Sequence, residues 1–213
     1  MKKSLLVLLS FLMFACNSNS TSEVILPENE DLPLTKEEEI IRIYNESVLP
    51  LFKEYSEAEI PTQFKVDKND LGINAGAAFG YVEVSQGLVN LTKEDIQLFA
   101  LTHEVAHIVT ISQARLFDLQ GSIPKGTVTN DYKKAEYLAD LIAIHLIKTK
   151  LSKEFNLLTS NFPFLQKLLG AATFTHPSGV DRINYLNTYI ENALVTSNDV
   201  AFKNSFLRIW QMD

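Results

Sequence analysis

The chain has 213 residues, of which 46% are hydrophobic, and its formal net charge is −7. This length and apolar content predict one domain with a sizeable core. An acidic chain without a block of Lys and Arg residues is not expected to bind nucleic acid.

The first 15 residues have the pattern of a bacterial signal peptide. Lys2 and Lys3 precede the apolar run LLVLLSFLMFA, which is too short to span a bilayer comfortably. The next residue, Cys16, is the only cysteine, so LMFAC resembles the lipobox of bacterial lipoproteins, although Phe14 is not the usual small residue. The resemblance implies lipid modification of Cys16 and a lipid-anchored protein of the bacterial envelope, facing the periplasm. The alternative is an ordinary signal peptide followed by an incidental cysteine.

The remaining chain divides into a tether and one folded domain. Segment 16–34 is polar, acidic and proline-containing, which predicts a flexible tether, and 35–213 would form the domain. Thr35 and Glu38 form a capping-box pattern that opens a helix, which we expect to bend at Pro50. Its apolar residues recur at helical spacing: Ile40, Ile41, Tyr44, Val48, Leu51, Phe52 and Tyr55.

Two short strands are predicted next. QFKVD, residues 63–67, is one candidate. In FGYVEVSQGLV, residues 79–89, polar and apolar side chains alternate from Tyr81 to Ser85, which indicates a strand.

Helices fill the rest of the chain. Thr92 and Asp95 predict the cap of a helix that contains LTHEVAHIV, and a loop rich in glycine and proline covers 118–130. DYKKAEYLADLIAIHLIKTKL is a strong helix, and another over 153–169 is expected to break near Pro163.

Two more helices complete the prediction. Ser178 with Asp181 indicates one helix start. A final amphipathic stretch aligns three large residues that we expect to pack against the core: Phe202, Phe206 and Trp210. Helices therefore dominate, with a small sheet before LTHEVAHIV, and the predicted class is α+β.

LTHEVAHIV, residues 101–109, holds two histidines and a glutamate in an apolar run. His103 and His107 are four residues apart, so both rings share one helix face and can bind one Zn²⁺. Glu104 can reach a water at the metal as general base, which completes the pattern H-E-x-x-H. The alternative is a helix with two buried, hydrogen-bonded histidines.

AEYLAD supplies two acidic residues on one face of the next strong helix. Glu136 would be the third metal ligand, and Asp140 would accept a hydrogen bond from the ring of a liganding histidine. The alternative is a solvated acidic pair on a lysine-bearing helix.

These motifs resemble those of the gluzincin metallopeptidases of the CAAX-prenyl-protease type, which include bacterial heat-shock membrane proteases and soluble periplasmic relatives. Four blocks occur in the family's order within roughly residues 72–190: NAGAAFGYVEVSQGLVNL, LTHEVAHIV, EYLAD and THPSGVDRI. The first block lacks the family's Pro-Gly-Gly turn, and only 28 residues separate His107 from Glu136. The first departure leaves the edge of the cleft undefined, and the compact insertion indicates a more open cleft or a missing lid.

The resemblance implies a mostly helical, zincin-like metallopeptidase domain with one Zn²⁺ per chain, held by His103, His107 and Glu136. Glu104 would be the general base. His176 and Arg182 would lie near the site, where they would support it or stabilise the oxyanion.

Two residues and one strand carry further predictions. The alternative for Arg182 is that it only pairs with an acidic neighbour such as Asp140. His145, which matches no block, is expected to be a packing or surface histidine. An extended substrate could add to the predicted strand. The expected contacts are Gly80, Tyr81, Val82, Glu83 and Val84.

The function implied by the resemblance is a zinc-dependent endopeptidase acting on peptide bonds of envelope proteins. One alternative is a catalytically silent zinc-binding lipoprotein that serves as a binding or chaperone module. Another is a helical surface lipoprotein that binds no metal. Zinc content and turnover together separate the three hypotheses.

Overall fold

A computed structural model describes residues 33–78 and 80–213. The predicted signal peptide, Cys16 and the tether up to residue 32 lie outside the described residues. Residues 34–213 form one compact unit. Within the two described ranges, no helix combines the length and the apolar character needed to cross a membrane.

The first helix begins at the predicted capping box. In α1 (Lys36–Arg42) the Thr35 hydroxyl accepts a hydrogen bond from the Glu38 amide, and the Glu38 carboxylate accepts one from the Thr35 amide at 2.8 Å. A π-helical segment, Ile43–Val48, and the short α2 (Leu49–Leu51) follow. The irregularity that the structure shows is the π-helical segment before the proline, and Pro50 lies in the first turn of α2, where its missing donor is tolerated, so the bend predicted at Pro50 stays a prediction.

The sheet has three strands in the order β1-β3-β2: β1 (Gln63–Asp67), β2 (Ala75–Ala78) and β3 (Tyr81–Ser85). Strand β3 is central, parallel to β1 and antiparallel to β2. The predicted extension of this strand to residue 89 is wrong. The Ser85 hydroxyl instead caps the short helix α3 (Gln86–Asn90) by accepting the Leu88 amide at 3.1 Å.

Six further helices follow: α4 (Glu94–Leu116), α5 (Asp131–Lys150), α6 (Ser152–Ser160), α7 (Phe162–Leu169), α8 (Gly179–Val195) and α9 (Asn198–Trp210). The predicted break near Pro163 is confirmed between α6 and α7, and Ser178 caps α8. The predicted cap by Thr92 is wrong, because Lys93 is the N-cap of α4 and makes no side-chain cap bond. The carboxylates of Glu94 and Asp95 instead lie in its first turn, where they complement the helix dipole.

Helices α4 and α5 pack against each other at the centre of the core. The predicted stripe on α9 is buried, as expected. The predicted α+β class is confirmed: the described part is mostly helical, and its small sheet precedes the LTHEVAHIV helix. Because α4 and α5 lie side by side, the motifs that they carry can meet.

Candidate metal centre

His103 and His107 on α4 converge with Glu136 on α5 to form one cluster of donor atoms. The two Nε2 atoms are 3.0 Å apart. Glu136 places Oε2 at 3.4 Å from His103 Nε2 and Oε1 at 3.3 Å from His107 Nε2. This cluster could hold a metal ion.

The donor separations can be compared with those that a bound ion requires. A tetrahedral ion with bonds of about 2.0–2.1 Å separates its ligand atoms by about 3.3 Å. The observed separations, 3.0 to 3.4 Å, are close to that spacing, and Glu136 offers a different carboxylate oxygen to each histidine ring. The residues present therefore fit one small divalent ion.

The cluster is buried on one side and accessible on the other. His103 and Glu136 are 5% and 8% exposed, whereas His107 is partly exposed. Three protein donors leave one position of a tetrahedral ion free. The partly exposed side of the cluster is where a water or a substrate could occupy that position.

Asp140 lies one helical turn beyond Glu136 and contacts His103 from the side opposite the cluster. Its Oδ1 is 2.9 Å from His103 Nδ1, so the ring N–H donates to the carboxylate and Nε2 is left free to bind a metal. A longer contact, 3.4 Å, joins the same Nδ1 to Arg182 Nη2. Asp140 is only 2% exposed, so the alternative of a solvated acidic pair is wrong.

Arg182, on α8, also contacts Asp140. Its Nε and Nη2 donate to the two carboxylate oxygens of Asp140, each at 2.7 Å, and its Nη1 lies 3.1 Å from Glu136 Oε2. Arg182 therefore pairs with Asp140 and also contacts Glu136, a residue of the candidate metal site. Its side chain is buried, and two carboxylates offset the cost of burying its charge.

These contacts set the ionisation of the cluster in the absence of a metal. Burial would raise the pKa of Glu136 and of Asp140, but the histidines around Glu136, and Arg182 with His103 around Asp140, hold both below their usual range. Burial opposes the charged form of His103, yet hydrogen bonds to Asp140 and Glu136 raise its pKa to about 9. In the metal-free protein both carboxylates are therefore charged, and His103 carries a proton that a bound cation would displace.

An open cavity of about 370 Å³ adjoins the cluster. Glu104, which follows His103 on α4, lines this cavity together with His107 and Arg182. The structure therefore brings the predicted general base to the open side of the cluster.

His176 lies in the loop between α7 and α8 and lines the same cavity. Its Nε2 is 3.6 Å from Glu136 Oε1, and its Nδ1 is 2.8 Å from the Thr175 hydroxyl. The side chain is 53% exposed, so its ring can meet a ligand in the cavity. The structure places it beside the cluster, as expected from its motif.

Asn130 is a site-supporting residue that the sequence pattern does not reveal. Its Oδ1 caps α5 by accepting the Lys133 amide at 2.9 Å, and its Nδ2 donates to the Phe174 carbonyl at 2.8 Å. It thereby joins the start of the Glu136 helix to the loop that carries His176. The sequence shows that Asn130 can cap a helix. It does not show the hydrogen bond to the Phe174 carbonyl, because the two residues are 44 positions apart.

The prediction that an extended substrate adds to the strand at residues 80–84 is wrong. Strand β3 is already hydrogen-bonded to β1 on one side and to β2 on the other. The residues concerned are Gly80, Tyr81, Val82, Glu83 and Val84. Strand β2, at the edge of the sheet, is the one that borders the cavity, through Ala75.

His145 lies outside the cluster, as expected from its position in the sequence. Its Nδ1 is 2.9 Å from the Tyr189 hydroxyl, and its ring stacks on Phe202 with centroids 4.0 Å apart. It is a packing histidine.

Comparisons with protein-family models, with curated proteins and with solved structures give no match for this chain. The resemblance to gluzincins therefore stays a prediction from the four sequence blocks.

Proposed function

We propose that the protein is a zinc-dependent endopeptidase with a zincin-like fold, related to the gluzincins of the CAAX-prenyl-protease type. The observation that carries the proposal is the convergence of His103, His107 and Glu136, with donor separations of 3.0 to 3.4 Å, beside Glu104 at an open cavity. A helix that merely tolerates histidines needs neither a buried glutamate from a second helix nor a general base at a cavity.

Zinc is the metal that these donors favour. Two imidazoles and one carboxylate in a tetrahedral arrangement form a ligand set of catalytic zinc sites, whereas structural zinc sites are closed by four protein ligands. Mg²⁺ and Ca²⁺ prefer sites made of oxygen donors, so two histidine ligands argue against both.

The chain's own residues can then perform peptide hydrolysis. Bound zinc supplies a Lewis acid that activates water at neutral pH. Glu104 accepts the proton from the attacking water and passes it to the leaving amine. His176 donates a hydrogen bond to the oxyanion that develops on the scissile carbonyl. Arg182 holds Glu136 and Asp140 in position through the hydrogen bonds described above.

An extended substrate is expected to add to β2 instead of β3. Among the strands that the structure describes, β2 has β3 on one side only, and Ala75 lines the cavity. Its sequence, AGAA, carries no bulky side chain that would keep a peptide from its backbone. Main-chain hydrogen bonds to this edge would hold the peptide in register across the cluster.

The cellular setting is part of the same proposal. Modification of Cys16 would anchor the domain to a membrane through segment 16–34, facing the periplasm. Its substrates would then be proteins of the bacterial envelope.

Zinc stoichiometry by elemental analysis is the first test. We expect about one zinc per chain, greatly reduced in Glu136→Ala and unchanged in the matched control His145→Gln, which removes a histidine outside the cluster. A folded protein that takes up no zinc would refute the proposal.

Turnover is the second test. Glu104→Gln is expected to keep zinc and to lose at least about 100-fold in peptide cleavage, because a general base contributes about 10²–10⁴-fold. Zinc binding without cleavage by the wild-type protein would favour a silent zinc-binding module. Equal cleavage by both proteins would refute the role of Glu104.

A further inference from the structure

The residues that follow α9 lie against the segment that leads into α5. Asp213 accepts two hydrogen bonds from Thr127, one from the amide to Oδ1 and one from the hydroxyl to Oδ2, both at 2.8 Å. The Asp213 carbonyl accepts a third bond, from the Thr129 amide, at 3.0 Å. One residue thus holds two positions of the segment 126–130, although Thr127 and Asp213 are 86 positions apart in the chain.

This contact is so close that only glycine fits at position 126. A Cβ atom placed on Gly126 would lie 2.4 Å from the carbonyl carbon of Asp213 and 2.8 Å from the Thr129 carbonyl oxygen. Both are backbone atoms, so no side-chain rotation can relieve the overlap. The Gly126 amide also donates to the Thr129 carbonyl at 3.1 Å, which joins the two ends of the turn. The turn and Asp213 therefore pack backbone against backbone.

A buried lysine of α5 fixes the end of α9 at the same place. Lys134 is only 1% exposed, and its Nζ donates to the carbonyl of Trp210, the last residue of α9, at 3.5 Å. A cation is favourable there, because the last carbonyls of a helix carry partial negative charge. Hydrogen bonds from Thr127 hold the pKa of Asp213 below its usual range, and the charge of Lys134 acts in the same direction. The Asp213 carboxylate is therefore ionised at neutral pH and accepts both bonds.

The segment held by Asp213 ends at Asn130, which is bonded to the loop of His176. Asn130 donates to the Phe174 carbonyl at 2.8 Å. Within the loop, the Thr173 amide donates to the His176 carbonyl at 2.9 Å, and the His176 amide donates to the Thr173 hydroxyl at 3.0 Å. These two bonds join residues 173–176 into one turn. A displacement of the segment 126–130 would therefore be passed to His176 through the bond from Asn130.

We propose that Asp213 is a positioning residue: it holds the segment 126–130, and with it Asn130, where the bond to Phe174 keeps His176 beside the metal cluster. Asp213 does not line the cavity, so it acts through Thr127 and Asn130 without contact with a substrate. The inference rests on the proposed peptidase function, in which His176 donates to the oxyanion. Displacement of such a donor by about 1 Å can lower a rate by about 100-fold.

The chain offers a closely matched control for the variant Asp213→Ala. Glu38 Oε2 accepts the amide and the hydroxyl of Thr35, at 2.8 and 2.7 Å, just as Asp213 accepts both groups of Thr127. Both carboxylates are exposed, and in both the bonds from a threonine hold the pKa below its usual range. Glu38→Ala therefore removes two bonds of the same kind at the start of α1, where neither bond involves the segment 126–130.

The first experiment measures kcat and KM of the zinc-loaded protein on one peptide. Asp213→Ala should lower kcat by about tenfold with little change in KM, and Glu38→Ala should change neither. Gly126→Ala, which forces the two backbones apart, should act in the same direction as Asp213→Ala. Asp213→Asn should keep kcat, because its amide oxygen accepts the Thr127 N–H and its amino group can donate to the Thr127 hydroxyl. An equal loss of kcat in Asp213→Asn, or in Glu38→Ala, would overturn the positioning role.

The second experiment needs no turnover, because it follows hydrogen exchange at the Thr173 and His176 amides. Both amides should exchange at least about tenfold faster in Asp213→Ala than in the wild-type protein, and at the wild-type rate in Glu38→Ala. Unchanged exchange in Asp213→Ala would overturn the positioning role, whatever the kinetics. Faster exchange in a protein that cleaves no peptide would support the contact chain from Asp213 to His176 and refute the peptidase proposal.

Discussion

Asp140 Oδ1 lies 2.9 Å from His103 Nδ1, on the side of the ring that faces away from the metal cluster. This contact fixes the orientation of the imidazole, because the N–H is held by the carboxylate and Nε2 points towards His107 and Glu136. Asp140 is in turn held by two hydrogen bonds of 2.7 Å from Arg182. A chain of contacts from α8 through α5 to α4 thus orients His103, a candidate metal ligand.

Asp140→Asn should weaken zinc binding by about 10-fold to 100-fold, the usual effect of removing such a supporting carboxylate. The amide oxygen can still accept from His103, but the negative charge that strengthens the bond is lost. Competition with a chromophoric chelator measures the affinity. Glu136→Ala, which removes a ligand, should have the larger effect, and a loss in Asp140→Asn as large as in Glu136→Ala would contradict a supporting role.

Arg182→Met should destabilise the metal-free protein by about 3–5 kcal/mol, since it leaves two buried carboxylates without their cationic partner. Zinc should reduce that cost, because a bound cation again compensates Glu136. Urea unfolding with and without zinc measures both quantities. An equal loss of stability in the two conditions would show that Arg182 does not share the charge of the metal site.

The sequence is sufficient to predict much of this site, because its spacing is local. His103, Glu104 and His107 lie within two turns of one helix, and Glu136 with Asp140 within two turns of another. That α4 and α5 lie side by side is a tertiary contact, which the sequence indicates only through the prediction that Glu136 joins His103 and His107.

The strand order of the sheet and the position of its edge strand are not visible in the sequence, because they depend on strand pairing and on contacts between residues far apart in the chain. Alternation from Tyr81 to Ser85 predicts a strand, but it does not show that β3 is central. Strand β2 reads AGAA, a sequence with weak β propensity, so the edge strand has almost no local signal. The capping bond from Ser85 to α3 likewise overrides an apparently continuous strand pattern.

Substitutions of Asn130 test whether its hydrogen bond to the Phe174 carbonyl positions the loop that carries His176. Asn130→Asp keeps the oxygen that caps α5 but replaces the donor to the Phe174 carbonyl, whereas Asn130→Ala loses both bonds. Asn130→Asp is therefore expected to keep stability and zinc content but to lower kcat, with a smaller effect on KM. Asn130→Ala should in addition lose about 1 kcal/mol of stability.

Kinetics and calorimetry on the two Asn130 variants measure these effects. A matched control is Ser197→Ala, which removes the cap of α9, distant in sequence from both motifs, and should lower stability without changing kcat. Unchanged kcat in Asn130→Asp would show that the bond to Phe174 does not position the loop that carries His176.

His145 should make the stability of the fold depend on pH. Burial against Tyr189 and Phe202 lowers the pKa of His145 from 6.5 to about 4, a change that exposed Asp199 opposes and Lys150 reinforces. Between these two values the unfolded chain binds more protons than the folded protein. The neutral ring therefore contributes its full stability above about pH 6.5, and that contribution is lost as the pH falls towards 4.

The size of this effect is at most about 3.5 kcal/mol, since one pKa unit corresponds to about 1.4 kcal/mol. The side chain is 12% exposed, so solvent screening reduces the figure only moderately. His145→Gln cannot titrate in this range and can still form a hydrogen bond to Tyr189. The free energy of unfolding, measured with urea between pH 7 and pH 4.5 in the presence of a chelator, should fall more steeply in the wild-type protein than in His145→Gln. Parallel curves would show that this histidine does not titrate between the two states, because every other ionisable group is shared by the two proteins.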